Sequence, residues 1–253
     1  MKNELIVVSG AAQGIGAAVT RELVARGARV AALDIRADGL AALAAEAPER
    51  IHPLTLDLRD PAAIEETIGR IEAELGPIAR LASVAGILRT GNLCDMSEED
   101  WLETFAVNTH GVFFLCRAVA RRMKPRRQGS IVITASNAAR VPRLQIGAYA
   151  VSKAATAHLA RNLGLELAAH GIRCNSVSPG STDTAMQHQL WQSPADAARV
   201  IAGSLEGYRT GIPLQRIACP EDIAQSICFL LSDDSRHITL HDLCIDGGAT
   251  LGA

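Results

Sequence analysis

This 253-residue chain predicts an α/β fold, a doubly wound parallel sheet with helices on both faces. Short β-branched runs alternate with Ala-rich amphipathic stretches, the order expected of parallel strands joined by helical crossovers. Several runs are apolar almost throughout, as strands covered on both faces must be. A Gly-rich turn also links the first run to the first amphipathic stretch, where such sheets bind ligands.

Taken in order, "LIVVSG" follows directly on "MKNE" as the first strand and is too short for the apolar core of a signal peptide. Six more runs complete a seven-stranded sheet: "ARVAALD", "IHPLTLD", "IARLASVAG", "GSIVITAS", "IRCNSVSPG" and "HDLCIDGG". In "MSEEDW", Ser97 with Asp100 three residues on reads as an N-cap opening a long helix through Asn108 toward Met123. The basic run Arg121, Arg122, Lys124, Arg126 and Arg127 falls at that helix's end before Gly129, and reads as a solvated terminus complementing the helix dipole. A further helix follows "GAYAVSK", with Leu159, Leu163 and Leu167 every four residues and Gly171 as its stop. Residues 181–215, with Trp191, Pro194, Gly203, Gly207 and Pro213, break this rhythm and are too long for an ordinary loop. They are expected to form short helices as a lid over the site. No linker or repeat divides the chain, so residues 1–253 are expected to be a single domain.

Composition narrows the partners. Hydrophobic residues make up 48% and the formal charge is −2, which points away from disorder, a nucleic-acid footprint or a basic membrane-binding face and toward a small molecule. No apolar run approaches the ~18 residues of a membrane span, and the cytoplasm is the default expectation. The six cysteines, Cys94, Cys116, Cys174, Cys219, Cys228 and Cys244, show no C-x-x-C pair and no zinc-like His spacing. They are expected to be buried thiols, with no metal site.

The turn "VVSGAAQGIGAAV" places Gly10, Gly14 and Gly16 between strand and helix, where a pyrophosphate can approach backbone N–H groups at the helix N-terminus. A Gly-rich turn alone is a weak signal, but the second strand ends at Asp34, 18 residues beyond Gly16. A carboxylate there accepts ribose hydroxyls and repels a 2′-phosphate, which favours NAD over NADP. Arg36 works against that repulsion, and a helix N-cap is the bland alternative for Asp34.

In "GAYAVSK", Tyr149 and Lys153 stand one helical turn apart, on one face. That spacing arises often by chance. Here it is joined by Ser136 thirteen residues before Tyr149, by Asn108 in "VNTHG", and by a G-x-x-x-G-x-G turn. Together these motifs, in this order across almost the whole chain, resemble the short-chain dehydrogenase/reductase family. The resemblance implies a homotetrameric NAD(P)-dependent oxidoreductase of Rossmann type, with Asn108, Ser136, Tyr149 and Lys153 as its catalytic residues. It implies cofactor contacts from Gly10, Gln13, Gly14, Ile15 and Gly16, from Asp57 and Leu58 after the third strand, and from Ala85 and Gly86 after the fourth. In "SPGSTDT" it implies that Pro179, Gly180, Thr182 and Thr184 hold the nicotinamide. One motif departs: many members read Asn-Asn-Ala-Gly where this chain reads Ser83-Val84-Ala85-Gly86, so weaker side-chain bonding is expected there.

Oxidising a secondary alcohol needs its hydroxyl proton removed, and a phenol of pKa ~10 is a weak base near neutrality. A cation roughly 4 Å away at an effective dielectric of about 20 is worth about 4 kcal/mol, enough to bring Tyr149 toward pKa ~7. Lys153 is the expected cation and also a ribose contact. Ser136 would orient the substrate oxygen, and Asn108 would support a water relay to Lys153.

The stretches "AGILRTGN", "SPGSTDTAMQHQLW", "GIPLQRIA" and "HITLHDLCIDGGATLGA" are similar to a branch of the family that makes catechols for siderophores. That implies a carboxylated cyclohexadiene diol as substrate, oxidised at C3 and then aromatised. A carboxylate calls for an arginine. Arg89 and Arg143 are the candidates, Arg140 a weaker one, with a solvated loop charge as the alternative for each. Met186 and Gln187, with Leu190 and Trp191, are expected to line the lid. An amino analogue of the diol, a reductase of carrier-bound ketones, and a non-catalytic NAD-sensing protein are the competing readings.

Overall fold

The computed structural model describes every residue except Gln192 and Pro194, and among the described residues the expected strands form one seven-stranded parallel sheet. They are β1 (Leu5–Ser9), β2 (Arg29–Asp34), β3 (Ile51–Thr55), β4 (Ile78–Ser83), β5 (Gly129–Thr134), β6 (Ile172–Pro179) and β7 (Asp242–Ile245). Their order across the sheet is β3-β2-β1-β4-β5-β6-β7. The chain therefore winds outward from β1 to one edge, then crosses back and winds to the other. Such a reversal leaves a crevice beyond the carboxyl ends of the two central strands. Register brings those ends level: Ser9 pairs with Ser83, Ser83 with Ile133, and Ile133 with Ser176. The residues that follow each strand thus emerge at one edge of the sheet.

Period-two alternation sorts the apolar side chains into two layers. Leu5 and Val7 pack on one face with Leu81, Ile131 and Ile133, against Ile68 of α3 (Pro61–Leu75) and Leu115 and Val119 of α5 (Val112–Arg126). Ile6 and Val8 pack on the other with Ala32 and Val132, against Leu23 of α1 (Gly14–Ala25), Leu40 of α2 (Ala37–Glu46) and Ile227 of α9 (Pro220–Leu231). Each fully buried Leu, Ile or Val contributes about 1.5–3 kcal/mol, so the sheet is anchored from both sides.

The expected long helix opens where Ser97 caps α4 (Glu98–Phe105), its hydroxyl accepting the Asp100 amide at 3.1 Å. It does not run on as a plain α-helix. Residues Ala106–Gly111 form a π-helical turn before α5, and Asn108 on that turn is fully buried. Widened turns of this kind re-aim a side chain without ending the helix.

Two expectations from the sequence are corrected here. The basic end of α5 is not simply solvated, because α3 packs beside it and supplies acids: Arg122 meets Glu65 and Arg126 meets Glu72, each at 2.8 Å. The cysteines are not all buried. Cys116, Cys174 and Cys228 are, while Cys94 and Cys219 are exposed on the loops after β4 and before α9. Among the described residues no cluster of His, Cys, Asp or Glu could hold a metal ion, and no helix is long and apolar enough to cross a membrane.

Candidate active site

A cavity of about 860 Å³ opens at the carboxyl ends of the central strands. Its floor is the turn between β1 and α1, where Gly10, Gln13, Gly14, Ile15 and Gly16 all line it. The glycines are needed for space. A Cβ on Gly16 would lie 1.9 Å from the Gly10 carbonyl oxygen, and one on Gly10, whose φ is +70°, would lie 2.8 Å from the Ala85 backbone. Gln13 caps α1 without a side-chain hydrogen bond, so the first amides of the helix keep donors for a bound group. A cradle that any side chain would fill, beside a helix start with spare N–H donors, fits a pyrophosphate.

At the end of β2, Asp34 lines the same cavity. Its two carboxylate oxygens accept the Ala12 and Arg36 amides at 3.0 Å each. It is not the helix cap, since α2 begins at Ala37 with Arg36 in the capping position. Arg36 turns its guanidinium to the Gln13 side-chain oxygen and to Asp38 at 3.6 Å. Asp57 and Leu58 add to the wall. The Arg59 guanidinium, 2.7 Å away, holds the Asp57 carboxyl below the usual range. Beyond β4, Ala85 and Gly86 complete this side. There the departure from Asn-Asn-Ala-Gly has a visible consequence. The Ser83 hydroxyl is buried without a partner among the described residues, and Ser9 instead accepts the Val84 and Ala85 amides at 3.1 and 3.3 Å.

Pro179, Gly180, Thr182 and Thr184 line the opposite wall after β6. Thr184 caps the short helix α7 (Ala185–His188), accepting the Gln187 amide at 3.3 Å, and its methyl would meet a Cβ on Gly14 at 3.2 Å. The glycine turn and the segment after β6 therefore close on each other.

Tyr149 and Lys153 lie on the first turns of α6 (Gly147–Ala168), and both line the cavity with Ser136 from the loop after β5. Ser136 hydrogen-bonds the Tyr149 phenol. Lys153, 2% exposed, donates to the Thr134 carbonyl at 2.8 Å. Its Nζ stands 5.8 Å from the centre of the Tyr149 ring. This geometry corrects the expected pKa of the phenol. Burial raises Tyr149 above its ordinary value, with the Ser136 bond opposing, and burial lowers Lys153 to about 8. The ammonium is turned to the Thr134 carbonyl, with the phenol bonded to Ser136 instead.

Asn108 is brought near this cluster but not onto the cavity wall. Its amide oxygen accepts the Ile87 amide at 2.8 Å, and its nitrogen donates to the Ile87 carbonyl at 2.9 Å and the Ser152 hydroxyl at 3.1 Å. A Cβ on Gly86 would lie 3.2 Å from both the Asn108 oxygen and the Lys153 nitrogen. Asn108 thus pins the Gly86–Ile87 backbone against the lysine through its side-chain amide.

On the substrate side the arginines separate. Arg143 lines the cavity. Arg89 does not face the cleft as expected: Glu103 and Asp100 on α4 hold its guanidinium at 2.6 and 3.5 Å. Arg140 is tied to Asp242 at 2.9 Å and to the Ala253 carbonyl at 2.7 Å. Met186, Gln187 and Leu190 line the cavity, whereas Trp191 packs on His188 with ring centres 4.5 Å apart. Residues 181–215 contain α7 and a second short helix, α8 (Asp196–Ala202), while Pro194 lies outside the described residues. Arg209, absent from the sequence reading, also lines the cavity. Its signal was a cation within the irregular segment, flanked by Gly207 and Gly211.

A family model described as enoyl-(acyl carrier protein) reductase matches residues 10–250. A 2,3-dihydro-2,3-dihydroxybenzoate dehydrogenase of Bacillus subtilis (strain 168) is 50% identical, covering 100% of this chain and 98% of its own. The Escherichia coli (strain K12) protein of the same name is 44% identical over 97% of this chain and 96% of its own. A solved short-chain type dehydrogenase/reductase from Mycobacterium marinum superposes with a TM-score of 0.90 at 31% identity, covering 98% of this chain and 96% of that one. A Gly-cradled dinucleotide crevice with a serine, a tyrosine and a buried lysine at its mouth defines an oxidoreductase that uses a nicotinamide cofactor. The chain belongs to the short-chain dehydrogenase/reductase family.

Proposed function

We propose that this enzyme oxidises 2,3-dihydro-2,3-dihydroxybenzoate to 2,3-dihydroxybenzoate with NAD, as a step in catechol siderophore biosynthesis. The observation that carries the reading is the full-length likeness to dehydrogenases of that name, joined to Arg143 standing in the cavity wall with no ion pair among the described residues. The glycine turn, Asp34 and the 179–184 segment would hold the cofactor. When bound, the cofactor would supply a hydride acceptor for C3 of the substrate. Ser136 hydrogen-bonds the C3 oxygen, and Tyr149, in contact with Ser136, takes its proton. Lys153 stabilises the phenolate while it keeps its own proton, and Asn108 holds the Gly86–Ile87 backbone beside it. The resulting C3 ketone loses the C2 proton and gains one on oxygen, giving the catechol; aromatisation drives the reaction in the oxidative direction.

Asp34 supports NAD over NADP, because a 2′-phosphate would meet its carboxylate, although Arg36 sits nearby. In this reading residues 181–215 act as the lid, the enzyme works in the cytoplasm, and it assembles as a homotetramer. The exposed Leu102, Phe113, Val151, Leu165 and Phe229 offer apolar surface for such contacts.

The decisive experiment mixes enzyme, NAD⁺ and the dihydrodiol acid and follows NADH and 2,3-dihydroxybenzoate together. Equimolar appearance of the two is expected. NADH without the catechol acid, or no turnover, overturns the reading; preference for the 2-amino analogue, 2,3-dihydro-3-hydroxyanthranilate, would move it to an aminobenzoate product. Turnover of a carrier-bound ketone with NADPH would favour the ketoreductase alternative instead.

A further inference from the structure

We propose that Arg209 is the second jaw of a carboxylate clamp whose first jaw is Arg143, and that the substrate's carboxylate fastens the 204–209 turn over the active site. The inference rests on the substrate reading above and adds to it a residue and a motion.

Both arginines line the same cavity, and each is half-buried. Among the described residues neither guanidinium has a hydrogen bond or an ion pair. Other arginines around the site are spoken for: Arg89 by Glu103, Arg140 by Asp242, Arg199 by Asp196 and Arg216 by Asp222. Arg143 and Arg209 line one cavity, and burial together with the charge of Arg209 lowers the pKa of Arg143, so the two cations lie within electrostatic reach of each other. Two partly buried like charges without a counter-charge are costly, and an anion between them relieves both desolvation and repulsion. The Asp246 carboxylate raises the pKa of Arg143, but that group already accepts Asn137 at 3.3 Å, Thr250 at 2.8 Å and the Gly248 amide at 2.9 Å. Glu206 lines the mouth of the cavity yet forms no ion pair with either arginine among the described residues.

The two jaws are carried by different parts of the chain. Arg143 lies six residues before Tyr149, on the loop leading into α6, so its distance from the phenol is set by the body of the protein. Arg209 closes a narrow turn in which its amide donates to the Ser204 carbonyl at 2.8 Å and its carbonyl accepts the Ser204 amide at 2.9 Å. Gly203 and Gly211, at φ +87° and +81°, pin the base of that turn, while Leu205 and Tyr208 at its tip are 95% and 88% exposed. A turn hinged at its base, solvated at its tip and aiming a cation inward is held shut by whatever anion that cation meets. A carboxylate shared by Arg143 and Arg209 therefore orients the ring over Tyr149 and shuts the site with one group.

Hydrogen exchange and kinetics test this together. In the wild-type enzyme with NAD⁺, 2,3-dihydroxybenzoate should slow amide exchange across 204–209, and catechol, the same ring without the carboxylate, should not. Arg209→Met should abolish that protection and lower kcat/KM for the dihydrodiol acid about 10- to 150-fold, the span of a charge-assisted hydrogen bond. Arg209→Lys, which keeps the charge and loses the fork, should fall between. The Arg143→Met/Arg209→Met double variant should lose less than the two single losses combined, because both jaws grip one group. Equal protection by the acid in wild type and Arg209→Met, or no protection in wild type, overturns the clamp. If wild type fails to oxidise the diol acid while the aromatic acid still protects 204–209, the substrate reading falls and the clamp stands as an aromatic-carboxylate site. Turnover without protection leaves the reading intact and removes the clamp.

Discussion

The two walls of the cavity are built on different principles. The cofactor wall is made of backbone: a glycine turn with no room for a Cβ, a helix start with free amides, and strand ends brought level by parallel register. The substrate wall is made of side chains from segments far apart in sequence, Ser136, Arg143 and Tyr149 from the body and Met186, Gln187 and Arg209 from the irregular 181–215 stretch. A backbone site tolerates few substitutions and serves any chain with the same cofactor. A side-chain site can be re-aimed one residue at a time, which is how one fold serves many substrates.

If that contrast holds, damage to each wall should have its own signature. The largest effect is expected for Tyr149→Phe, which removes the proton acceptor and should cut kcat about 10²- to 10⁴-fold while leaving the NAD⁺ dissociation constant nearly unchanged. Activity within tenfold of wild type would break the assignment.

Next in size is a stability effect at Lys153. Burial lowers its pKa from 10.5 to about 8, so below about pH 8 the folded state carries a desolvated charge that the unfolded chain keeps in water. Between about 8 and 10.5 the unfolded chain binds more protons than the folded one, and stability rises with pH by up to about 3 kcal/mol. Lys153→Met should therefore stabilise the protein at pH 7, less the lost bond to Thr134, with the gain shrinking as pH approaches 10.5. Denaturant titrations at pH 7 and 10 check this, and a Met variant less stable than wild type at pH 7 would refute it. The same variant should lose activity, since the lysine is kept at a cost in stability.

Asp34→Ala should narrow the preference for NAD⁺ over NADP⁺ by about tenfold or more, as expected when one close like-charge contact is removed. The ratio of kcat/KM values for the two cofactors measures it, and an unchanged ratio would transfer the selectivity to Arg36. The smallest effect belongs to Arg89→Met. Its guanidinium is bound to Glu103 and half-exposed, so KM for the diol acid should change less than about threefold, within the worth of a surface ion pair. A rise comparable to that for Arg143→Met would mean that Arg89 leaves Glu103 to meet the substrate.

Much of this molecule was legible before folding. The strands were readable because an apolar β-branched run of five or six residues announces itself locally, and the Ser97 cap because its partner is three residues away. The glycine turn was readable because only its own backbone is involved. Less legible was the π-helical turn at Asn108, since nothing in "VNTHG" distinguishes it from plain helix; Gly111, where a Cβ would come within 2.7 Å of the Leu58 carbonyl, is the trace it leaves. Illegible altogether was the pKa of Tyr149, which depends on burial and on Lys153 turning to Thr134 rather than to the phenol.

By itself, the sequence determined the parallel sheet, the dinucleotide turn and the presence of Asn108, Ser136, Tyr149 and Lys153 at family spacing, because each rests on periodicity or on contacts within a few residues. Tertiary structure alone decided which arginine can receive a substrate. Arg89, Arg140, Arg143 and Arg209 are chemically identical, and what separates them is whether a carboxylate from a distant segment arrives first. Glu103 captures Arg89 and Asp242 captures Arg140, whereas Arg143 and Arg209 reach the cavity with no ion pair among the described residues. An ion pair is a matter of a few ångströms between segments that the sequence can leave 102 residues apart, as with Arg140 and Asp242, and the packed sheet sets those distances.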